Sequence, residues 1–374
     1  MNSNSIAVTE PVFDGNEWKY VKNCLDSGWV SSAGEYVELF EEKVAEYVGV
    51  RYGVATANGT AAIHTALMVA GIKPGDIVVV PTLSFVATVN PVIYCGASPV
   101  FVDSEEKTLN MDPQKAEDAI KHLIKKRQKP KAIIVTHLYG HPCDMDAIMD
   151  LAHGYGLVVI EDACESLGSK YKGKMTGAFG DFGCLSFNGN KIITTGGGGM
   201  LLINSEADSE RARYLTTQAR DHDIEYVHNE IGYNYRLTNM QAALGLAQME
   251  ELPFFIKEKK RIAELYIEEL SDIDEVRPLM EPEWAESNYW LNLVLVVKKR
   301  FDRARFMEGM WKSGVALRPL FRPLHMQKCF RSDERRTFEK SEFLYKIGFN
   351  LPSSVSLSHE QIHRVARSLK YALA

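Results

Sequence analysis

The 374-residue sequence lacks paired cysteines, long apolar runs and an excess of positive charge. The cysteines stand singly, without the CxxC spacing of a zinc site or redox pair, and we expect no metal. No run approaches the ~18 apolar residues of a membrane span, and the first residues do not resemble a signal peptide. A formal net charge of −6 disfavours nucleic acid and anionic membranes as partners. These absences predict a cytoplasmic protein that acts on a small molecule.

Between about residues 50 and 205, short β-branched runs such as "DIVVVPT", "KAIIVTHL" and "LVVIEDA" alternate with helical patterns. Strands that are apolar on both faces predict an α/β fold with a mainly parallel sheet covered by helices. Near residue 245 a long helical pattern begins, and we expect Pro253 to bend or break it. A strand, a helix and a last helix capped by Ser358 follow. The pattern predicts a large domain over 1–245 and a smaller C-terminal α+β domain over 246–374.

Ligands of open parallel sheets bind beyond the carboxyl ends of the strands, so the residues after each strand are candidates for a site. In "ATANGTAAIHTAL", Asn58 can cap a helix whose first turn contains Thr60 and Ala61. The free N–H groups of that turn attract anions such as phosphate, and Gly59 allows a close approach. An ordinary capped core helix is the alternative interpretation.

Aromatic and acidic residues follow two further strands. Phe85 in "PTLSFVAT" either closes the core or stacks on a flat cofactor. The run "LVVIEDACES" ends an apolar strand with Glu161, Asp162 and Glu165. Because buried carboxylates are costly without a partner, we expect a cation or hydrogen-bond donors to meet at least one of them. A purely structural salt bridge satisfies the same expectation.

The stretch "LSFNGNKIITTGGGGM" contains Ser186 and Lys191 and ends in four glycines. It matches neither the GxxxxGK[ST] order of a P-loop nor the GxGxxG dinucleotide pattern. We interpret the glycines as positions where the backbone passes close to a flat ligand or to a neighbouring chain. A phosphate cradle, an aromatic ring, an acid for a ring nitrogen and a lysine are together the parts of a pyridoxal phosphate site.

The motifs NGT, PTLSFVAT, EDACES, LSFNGNK, TTGGGGM and GYNYRLTNMQAALGLAQ, in this order, resemble those of the DegT/StrS-type nucleotide-sugar aminotransferases. The resemblance extends from "EPVFDGNEWKYV" to "NLPSS". It implies the fold type I (aspartate aminotransferase-like) architecture of pyridoxal phosphate-dependent transferases. It also implies a homodimer with shared active sites.

The resemblance gives roles to individual residues. Lys191 would form the Schiff base, Asp162 would pair with the pyridine nitrogen, Phe85 would stack on the ring and Glu165 would approach its hydroxyl side. The phosphate would be bound at Gly59, Thr60, Ala61 and Ser186, and by Asn234 from a second subunit. Substrate residues would be Trp29, Ser31, Ser32, Arg318 and His325. The stretch "LRPLFRPLH", which contains the last two, is also suited on its own to a diphosphate or uracil, although it can equally be a solvated loop.

Within the family, the sequence most resembles enzymes that aminate C4 of UDP-2-acetamido-2,6-dideoxy-4-keto-hexoses on routes to legionaminic acid or bacillosamine, which serve cell-surface glycans such as O-antigen. GDP-perosamine synthases, which act on GDP-4-keto-6-deoxymannose, are the alternative, but they more often read "FFGNK" and "GEGGM". We expect L-glutamate, or less readily glutamine, to convert the cofactor to pyridoxamine 5'-phosphate before the sugar is aminated.

Three other functions are open to this sequence. A sugar dehydratase of the same fold is disfavoured by the presence of Lys191, and dependence on an amine donor would distinguish it. A non-catalytic sensor would be expected to carry a basic DNA-binding module, which the sequence does not show. A dinucleotide-dependent oxidoreductase is disfavoured by the spacing of the glycines.

Overall fold

The computed structural model describes residues 5–222, 224–330 and 337–373. Its strands are β1 Tyr52–Thr56, β2 Ile77–Pro81, β3 Ser98–Val102, β4 Ala132–Thr136, β5 Val158–Asp162, β6 Lys170–Tyr171, β7 Lys174–Met175, β8 Phe182–Ser186, β9 Gly199–Ile203, β10 Val276–Pro278, β11 Ala285–Glu286, β12 Asn292–Val296, β13 Arg318–Pro319 and β14 Gly348–Leu351. Its helices are α1 Glu17–Ser27, α2 Glu35–Val48, α3 Gly59–Val69, α4 Asn90–Tyr94, α5 Pro113–Lys125, α6 Met145–Tyr155, α7 Glu206–Thr216, α8 Asn239–Glu269, α9 Arg303–Lys312, α10 Glu339–Ile347 and α11 His359–Leu373.

The large sheet has seven strands in the order β1-β9-β8-β5-β4-β2-β3. Strands β3, β2, β4, β5 and β8 pair in parallel, whereas β9 runs antiparallel to both β8 and β1. The predicted mainly parallel sheet is therefore confirmed. Parallel pairing brings the carboxyl ends of β5 and β8 to the same edge, where Asp162 and Ser186 end their strands.

Apolar side chains cover both faces of this sheet. On one face, Ile63 and Leu67 of α3 pack with Val78 of β2 in a buried cluster. On the other, Ile120 of α5 and Ile148 of α6 pack in a second cluster. Each fully buried side chain of this size stabilises the fold by about 1.5–3 kcal/mol relative to an exposed position. The burial of both faces explains why the strands read as continuous apolar runs.

The C-terminal part forms a four-stranded antiparallel sheet in the order β10-β12-β14-β13. Phe306 of α9 and Leu369 of α11 pack on Val294 and Phe349 of this sheet. The N–H of Gln361 donates to Ser358 Oγ at 3.2 Å, which confirms the predicted cap of the last helix. These elements form the α+β arrangement that the sequence predicted.

Helix α8 connects the two sheets. Thr238 and Gln241 form a capping box at its start, and the helix is not broken at Pro253, contrary to one of our expectations. Its side chains explain this, because Leu252 is buried in the core of the large sheet and Ile262 in the core of the small one. The helix runs across position 245, so the division into domains 1–245 and 246–374 stays a prediction. None of the helices in the described part of the chain is long and apolar enough to cross a membrane.

Candidate active site

A cavity of about 340 Å³ lies at the carboxyl ends of β5 and β8, beside the start of α3. Its walls contain these predicted site residues: Gly59, Thr60, Phe85, Asp162, Glu165, Ser186, Lys191 and Arg318. They come from separate parts of the chain, and the topology of the sheet brings them together. A volume in this range suits a small-molecule ligand.

The first turn of α3 forms one end of the cavity. Asn58 Oδ1 accepts the N–H of Ala61 at 2.9 Å, which confirms the predicted cap. The earlier N–H groups, those of Gly59 and Thr60, have no acceptor within their own helix and lie at the cavity wall. A Cβ on Gly59 would approach Cys164 Sγ to 2.7 Å and Ser186 Cβ to 3.0 Å, so only glycine fits. These two amides beside the Ser186 hydroxyl can bind a phosphate.

The last glycine of the run of four lies against this same turn. A Cβ on Gly199 would be 2.5 Å from the carbonyl carbon of Asn58, and Gly196 has a positive φ of 78°. Gly197 and Gly198 line the cavity. The crowding that we predicted is thus partly with the chain's own backbone, because strand β9 passes directly behind the phosphate cradle.

Asp162 lies at the deep side of the cavity and is 5% exposed. Its Oδ2 accepts the hydroxyl of Thr88 at 2.6 Å, and its Oδ1 accepts the N–H of Cys164 at 3.3 Å. Thr88 in turn contacts the Ser84 hydroxyl at 2.6 Å. This hydrogen-bonded carboxylate is held in place, and it can accept a bond from a protonated ring nitrogen.

Glu161, the neighbour of Asp162, has a structural role. Its carboxylate oxygens accept the N–H groups of Gly177, Phe179 and Gly180 at 2.6 to 2.8 Å. Its Oε2 is also 3.0 Å from His137 Nε2. The donors that we expected for a buried carboxylate are present here, and Glu161 is not part of the cavity wall.

Lys191 is the amine of the cavity. Its Nζ lies 3.5 Å from Glu165 Oε1 and 4.0 Å from the centre of the Trp290 ring. Glu165 Oε2 accepts the N–H of Tyr139 at 2.8 Å. Burial raises the pKa of Glu165, while the charge of Lys191 opposes that shift. The lysine is therefore placed between an acid and an aromatic face.

A row of aromatic rings continues this wall. The ring of Trp290 stacks on Tyr139 at 6.2 Å, Tyr139 on Phe321 at 5.2 Å, and Phe321 contacts Phe85 at 5.4 Å. Phe85 is 52% exposed, so it does not close the core. Its ring is free to stack on a flat ligand in the cavity.

Several predicted site residues lie outside this cavity. His325 lines a neighbouring surface groove, where Thr82 Oγ1 contacts its Nδ1 at 2.6 Å. Trp29, Ser31 and Ser32 lie before α2, and Asn239 donates to the carbonyls of Trp29 and Ser31 at 2.8 and 2.6 Å. Asn234 is exposed, on a segment bridged to Thr217. Ala61 uses its N–H in the helix cap, as described above.

The structure adds residues that sequence reasoning missed: Thr88, Asn188, Trp290 and Phe321. Thr88 gave no signal, because a threonine on a short turn is common. Trp290 lies near the start of the predicted strand "YWLNLVLVV", and an aromatic at a strand start gives only a weak signal. Asn188 was overlooked beside the more reactive Lys191.

The polar and aromatic groups in the cavity wall match those that pyridoxal phosphate needs. The start of helix α3 and the Ser186 hydroxyl lie together in the cavity wall and can bind a phosphate, and the buried Asp162 carboxylate can accept a hydrogen bond from a protonated pyridine nitrogen. An exposed aromatic ring offers a stacking face, and a lysine amine is within the same wall.

The sequence model of the DegT/DnrJ/EryC1/StrS aminotransferase family matches residues 11–370. The chain is 42% identical to a putative pyridoxal phosphate-dependent aminotransferase, EpsN, of Bacillus subtilis, over 97% of this chain and 95% of that protein. It is 41% identical to a GDP-perosamine synthase of Escherichia coli O157:H7, over 97% of each.

Solved structures show the same similarity. An aminotransferase of this family from Brucella abortus superposes with a TM-score of 0.89 at 31% identity, over 95% of each chain. Helicobacter pylori PseC, an aminotransferase involved in the biosynthesis of pseudoaminic acid, superposes with a TM-score of 0.91 at 26% identity, over 99% of each chain. The predicted fold type I architecture is confirmed.

Proposed function

Because the chain belongs to the DegT/DnrJ/EryC1/StrS aminotransferase family, whose members are pyridoxal phosphate-dependent sugar aminotransferases, we propose that it aminates C4 of a nucleotide-linked 4-keto-6-deoxy sugar. L-Glutamate is the proposed amine donor. The observation that carries the proposal is the position of Lys191, 3.5 Å from Glu165 in a cavity with an amide cradle at one end and Asp162 at its deep side.

Pyridoxal phosphate supplies an electrophilic carbon and an electron-withdrawing ring when it is bound. Gly59, Thr60 and Ser186 would hold its phosphate, and Phe85 would cover one face of its ring. Asp162, held by Thr88, would accept a hydrogen bond from the protonated ring nitrogen and keep that nitrogen charged. These five residues would bind and orient the cofactor.

Lys191 moves the proton. In the first half-reaction its Nζ would take the proton from Cα of L-glutamate and pass it to the cofactor, and in the second it would take a proton from the cofactor and deliver it at C4 of the sugar. While the proton is on Nζ, Glu165 at 3.5 Å and the Trp290 ring at 4.0 Å stabilise the ammonium. The order of the two half-reactions makes the enzyme a ping-pong transaminase.

The first candidate substrate is UDP-2-acetamido-2,6-dideoxy-4-keto-glucose. Two positions support it. Asn188 stands where GDP-perosamine synthases more often have the second Phe of "FFGNK", and Gly197 stands where they have the Glu of "GEGGM". Both residues line the cavity. The second candidate, GDP-4-keto-6-deoxymannose, is supported by the GDP-perosamine synthases among the relatives, including one of Vibrio cholerae at 38% identity. Either product would serve cell-surface glycan synthesis.

The proposed assembly is a homodimer in which Asn234 reaches the phosphate site of the other subunit. Its support is the exposure of Asn234 together with that of its neighbours Tyr226 and Ile231, at 70% and 83%. Large exposed apolar side chains favour burial in an interface. We further propose that Arg318, in the cavity wall, and Trp29, Ser31, Ser32 and His325, around it, contact the sugar nucleotide.

The test is the visible spectrum of the purified protein with pyridoxal phosphate, followed by L-glutamate and then by each keto sugar in separate samples. We expect glutamate to bleach the band of the lysine-bound cofactor and the UDP-linked sugar to restore it, with an amino sugar detected by mass spectrometry. Restoration by the GDP-linked sugar alone would replace the first candidate by the second. The absence of bleaching by glutamate would contradict the amine donor.

A further inference from the structure

A second lysine, Lys259, is buried behind Lys191. Lys259 of α8 is 4% exposed, and its Nζ donates to the carbonyl of Trp290 at 2.9 Å and to the carbonyl of Ser353. Both lysines line a small cavity of about 20 Å³, the size of a single water site. A buried lysine is costly, so its retention here calls for a role.

Trp290 connects the two lysines. Its main-chain N–H donates to Asn288 Oδ1 at 2.8 Å, and its carbonyl accepts from Lys259. Its indole N–H donates to the carbonyl of Asn190 at 2.6 Å, directly before Lys191. Every polar atom of Trp290 is thus bonded, and the face of its ring is presented to Lys191 Nζ.

The same residue is tied to the acid of the site. Asn288, which accepts the N–H of Trp290, donates through its Nδ2 to the carbonyl of Glu165 at 3.1 Å and to that of Leu167 at 2.9 Å. The indole and the carboxylate that flank the Lys191 amine are therefore fixed relative to each other by one side chain. This arrangement is more than packing requires.

We infer that Trp290 is a positioning residue that holds the free ammonium of Lys191 over its ring, and that Lys259 fixes Trp290 for this purpose. The contact favours Lys191 in its free, protonated state over its cofactor-bound state, because a cation binds the ring face more strongly than a neutral group does. The free lysine then stays beside Glu165, ready to return its proton. This inference rests on the proposed role of Lys191.

The inference has a thermodynamic consequence that needs no turnover. Pyridoxal phosphate would bond to the Lys191 amine, which would then no longer lie as a free ammonium over the Trp290 ring. Pyridoxamine phosphate forms no such bond and leaves the ammonium over that ring. The cation–π contact therefore opposes the binding of pyridoxal phosphate and does not affect the binding of pyridoxamine phosphate. Loss of the contact should therefore strengthen the binding of pyridoxal phosphate relative to that of pyridoxamine phosphate.

The experiment measures the Kd of each cofactor form for the cofactor-free dimer by absorbance and fluorescence titration. For Trp290→Phe we expect the ratio of Kd for pyridoxal phosphate to Kd for pyridoxamine phosphate to fall by about 2- to 5-fold, because the phenylalanine ring binds a cation less strongly than the indole does. Trp284→Phe is the matched control, since Trp284 packs on Tyr171 in another cluster, and we expect no change of the ratio there.

Lys259→Met tests whether Lys259 fixes the position of Trp290. We expect the ratio to move in the same direction by a smaller factor, and the double variant Trp290→Phe/Lys259→Met to give the ratio of Trp290→Phe alone, because Lys259 acts through Trp290. Lys131→Met is its control, as Lys131 also donates to a main-chain carbonyl, that of Gly71.

An equal weakening of both cofactor forms in Trp290→Phe would show a structural role only and overturn the inference, as would an unchanged ratio. If Trp290→Phe does not fold, Trp290→Tyr gives the same comparison with a larger ring. No sugar enters these titrations, so an error in the proposed substrate leaves their outcome unchanged. A wild-type protein that binds pyridoxal phosphate without a lysine-bound band would instead refute the role of Lys191.

Discussion

The hydroxyl of Thr88 donates to the carboxylate of Asp162 at 2.6 Å, and both groups are buried at the deep side of the cavity. This bond orients the oxygen that is proposed to meet the ring nitrogen of the cofactor. Thr88→Val keeps the shape and removes the donor. A hydrogen bond to a charged group stabilises by about 1.5–3 kcal/mol, so we expect the Kd for pyridoxal phosphate to rise at least about tenfold.

Thr88→Ser is the matched control for this variant, because it keeps the hydroxyl within reach of Asp162. Its cofactor affinity should stay near that of the wild type, as measured by the same titration. If Thr88→Val binds the cofactor as tightly as Thr88→Ser does, the bond to Asp162 has no part in cofactor binding.

Lys191→Ala removes the amine that is proposed to move the proton. We expect turnover to fall by at least about 10²–10⁴-fold, the usual contribution of a general acid or base. The amide cradle and Asp162 do not involve the lysine, so the variant should still bind pyridoxamine phosphate. Amination of the sugar, followed by mass spectrometry of the product, is the measurement, and near-normal turnover would rule out Lys191 as the proton carrier.

Much of this site could be predicted from the sequence, because parallel strands end at one edge of a sheet. Asp162 and Ser186 end two strands that are neighbours in parallel pairing, and Gly59 starts the helix beside them. Asn58 was recognisable as a cap from its position alone. These residues depend on local patterns and on one topological rule.

The remaining residues depend on contacts between distant parts of the chain. Trp290 lies beside the Lys191 amine, and its main chain is bonded to Asn288 and Lys259. His325 lies in a neighbouring groove because Thr82 binds its ring. Helix α8 continues through Pro253, with Leu252 buried in the core of the large sheet and Ile262 in that of the small one, and no local propensity predicts that.

The buried position of Lys259 predicts a pH dependence of stability. Burial lowers the pKa of Lys259 from its ordinary value of 10.5 to about 7, so between these values the unfolded chain binds a proton that the folded chain does not. The free energy of unfolding should therefore rise with pH from about 7 toward 10 on account of this group. Urea denaturation of the cofactor-free protein at pH 7 and pH 9 measures this rise.

Lys259→Met removes the titrating group and is the comparison for that measurement. We expect the wild type to gain stability relative to Lys259→Met as the pH rises from 7 to 9. Lys131→Met, whose lysine is half-buried beside Asp76, should follow the wild type. Parallel stabilities of wild type and Lys259→Met at both pH values would show that Lys259 stays protonated in the folded protein.

The proposed dimer predicts complementation at Asn234. Asn234→Ala should weaken phosphate binding and lower turnover, because its amide is proposed to reach the other subunit's cofactor. A mixed dimer of Asn234→Ala with Lys191→Ala should regain one working site, formed by the intact lysine of the first chain and the intact asparagine of the second. Turnover of the mixture is compared with that of each variant alone. Failure to regain activity in a proven mixed dimer would show that Asn234 does not act across the interface.

The choice of nucleotide sugar should depend on Asn188 and Gly197. Asn188 is exposed, with its Nδ2 bonded to Asn190 Oδ1 at 3.0 Å, and a Cβ on Gly197 would meet only Gln241 Nε2, at 3.9 Å. Both positions therefore have room for the Phe and Glu of the alternative pattern, so Asn188→Phe/Gly197→Glu should fold. We expect this double variant to lower kcat/KM for the UDP-linked keto sugar relative to the GDP-linked one by about 5-fold or more, since one lost polar contact changes such a ratio by about 1–3 kcal/mol. The glutamate half-reaction, measured alone, should keep its rate, because it does not involve the nucleotide.

A double variant with the wild-type preference would show that these two positions do not select the substrate. The residues to test next would then be Arg318 and those of the groove around His325.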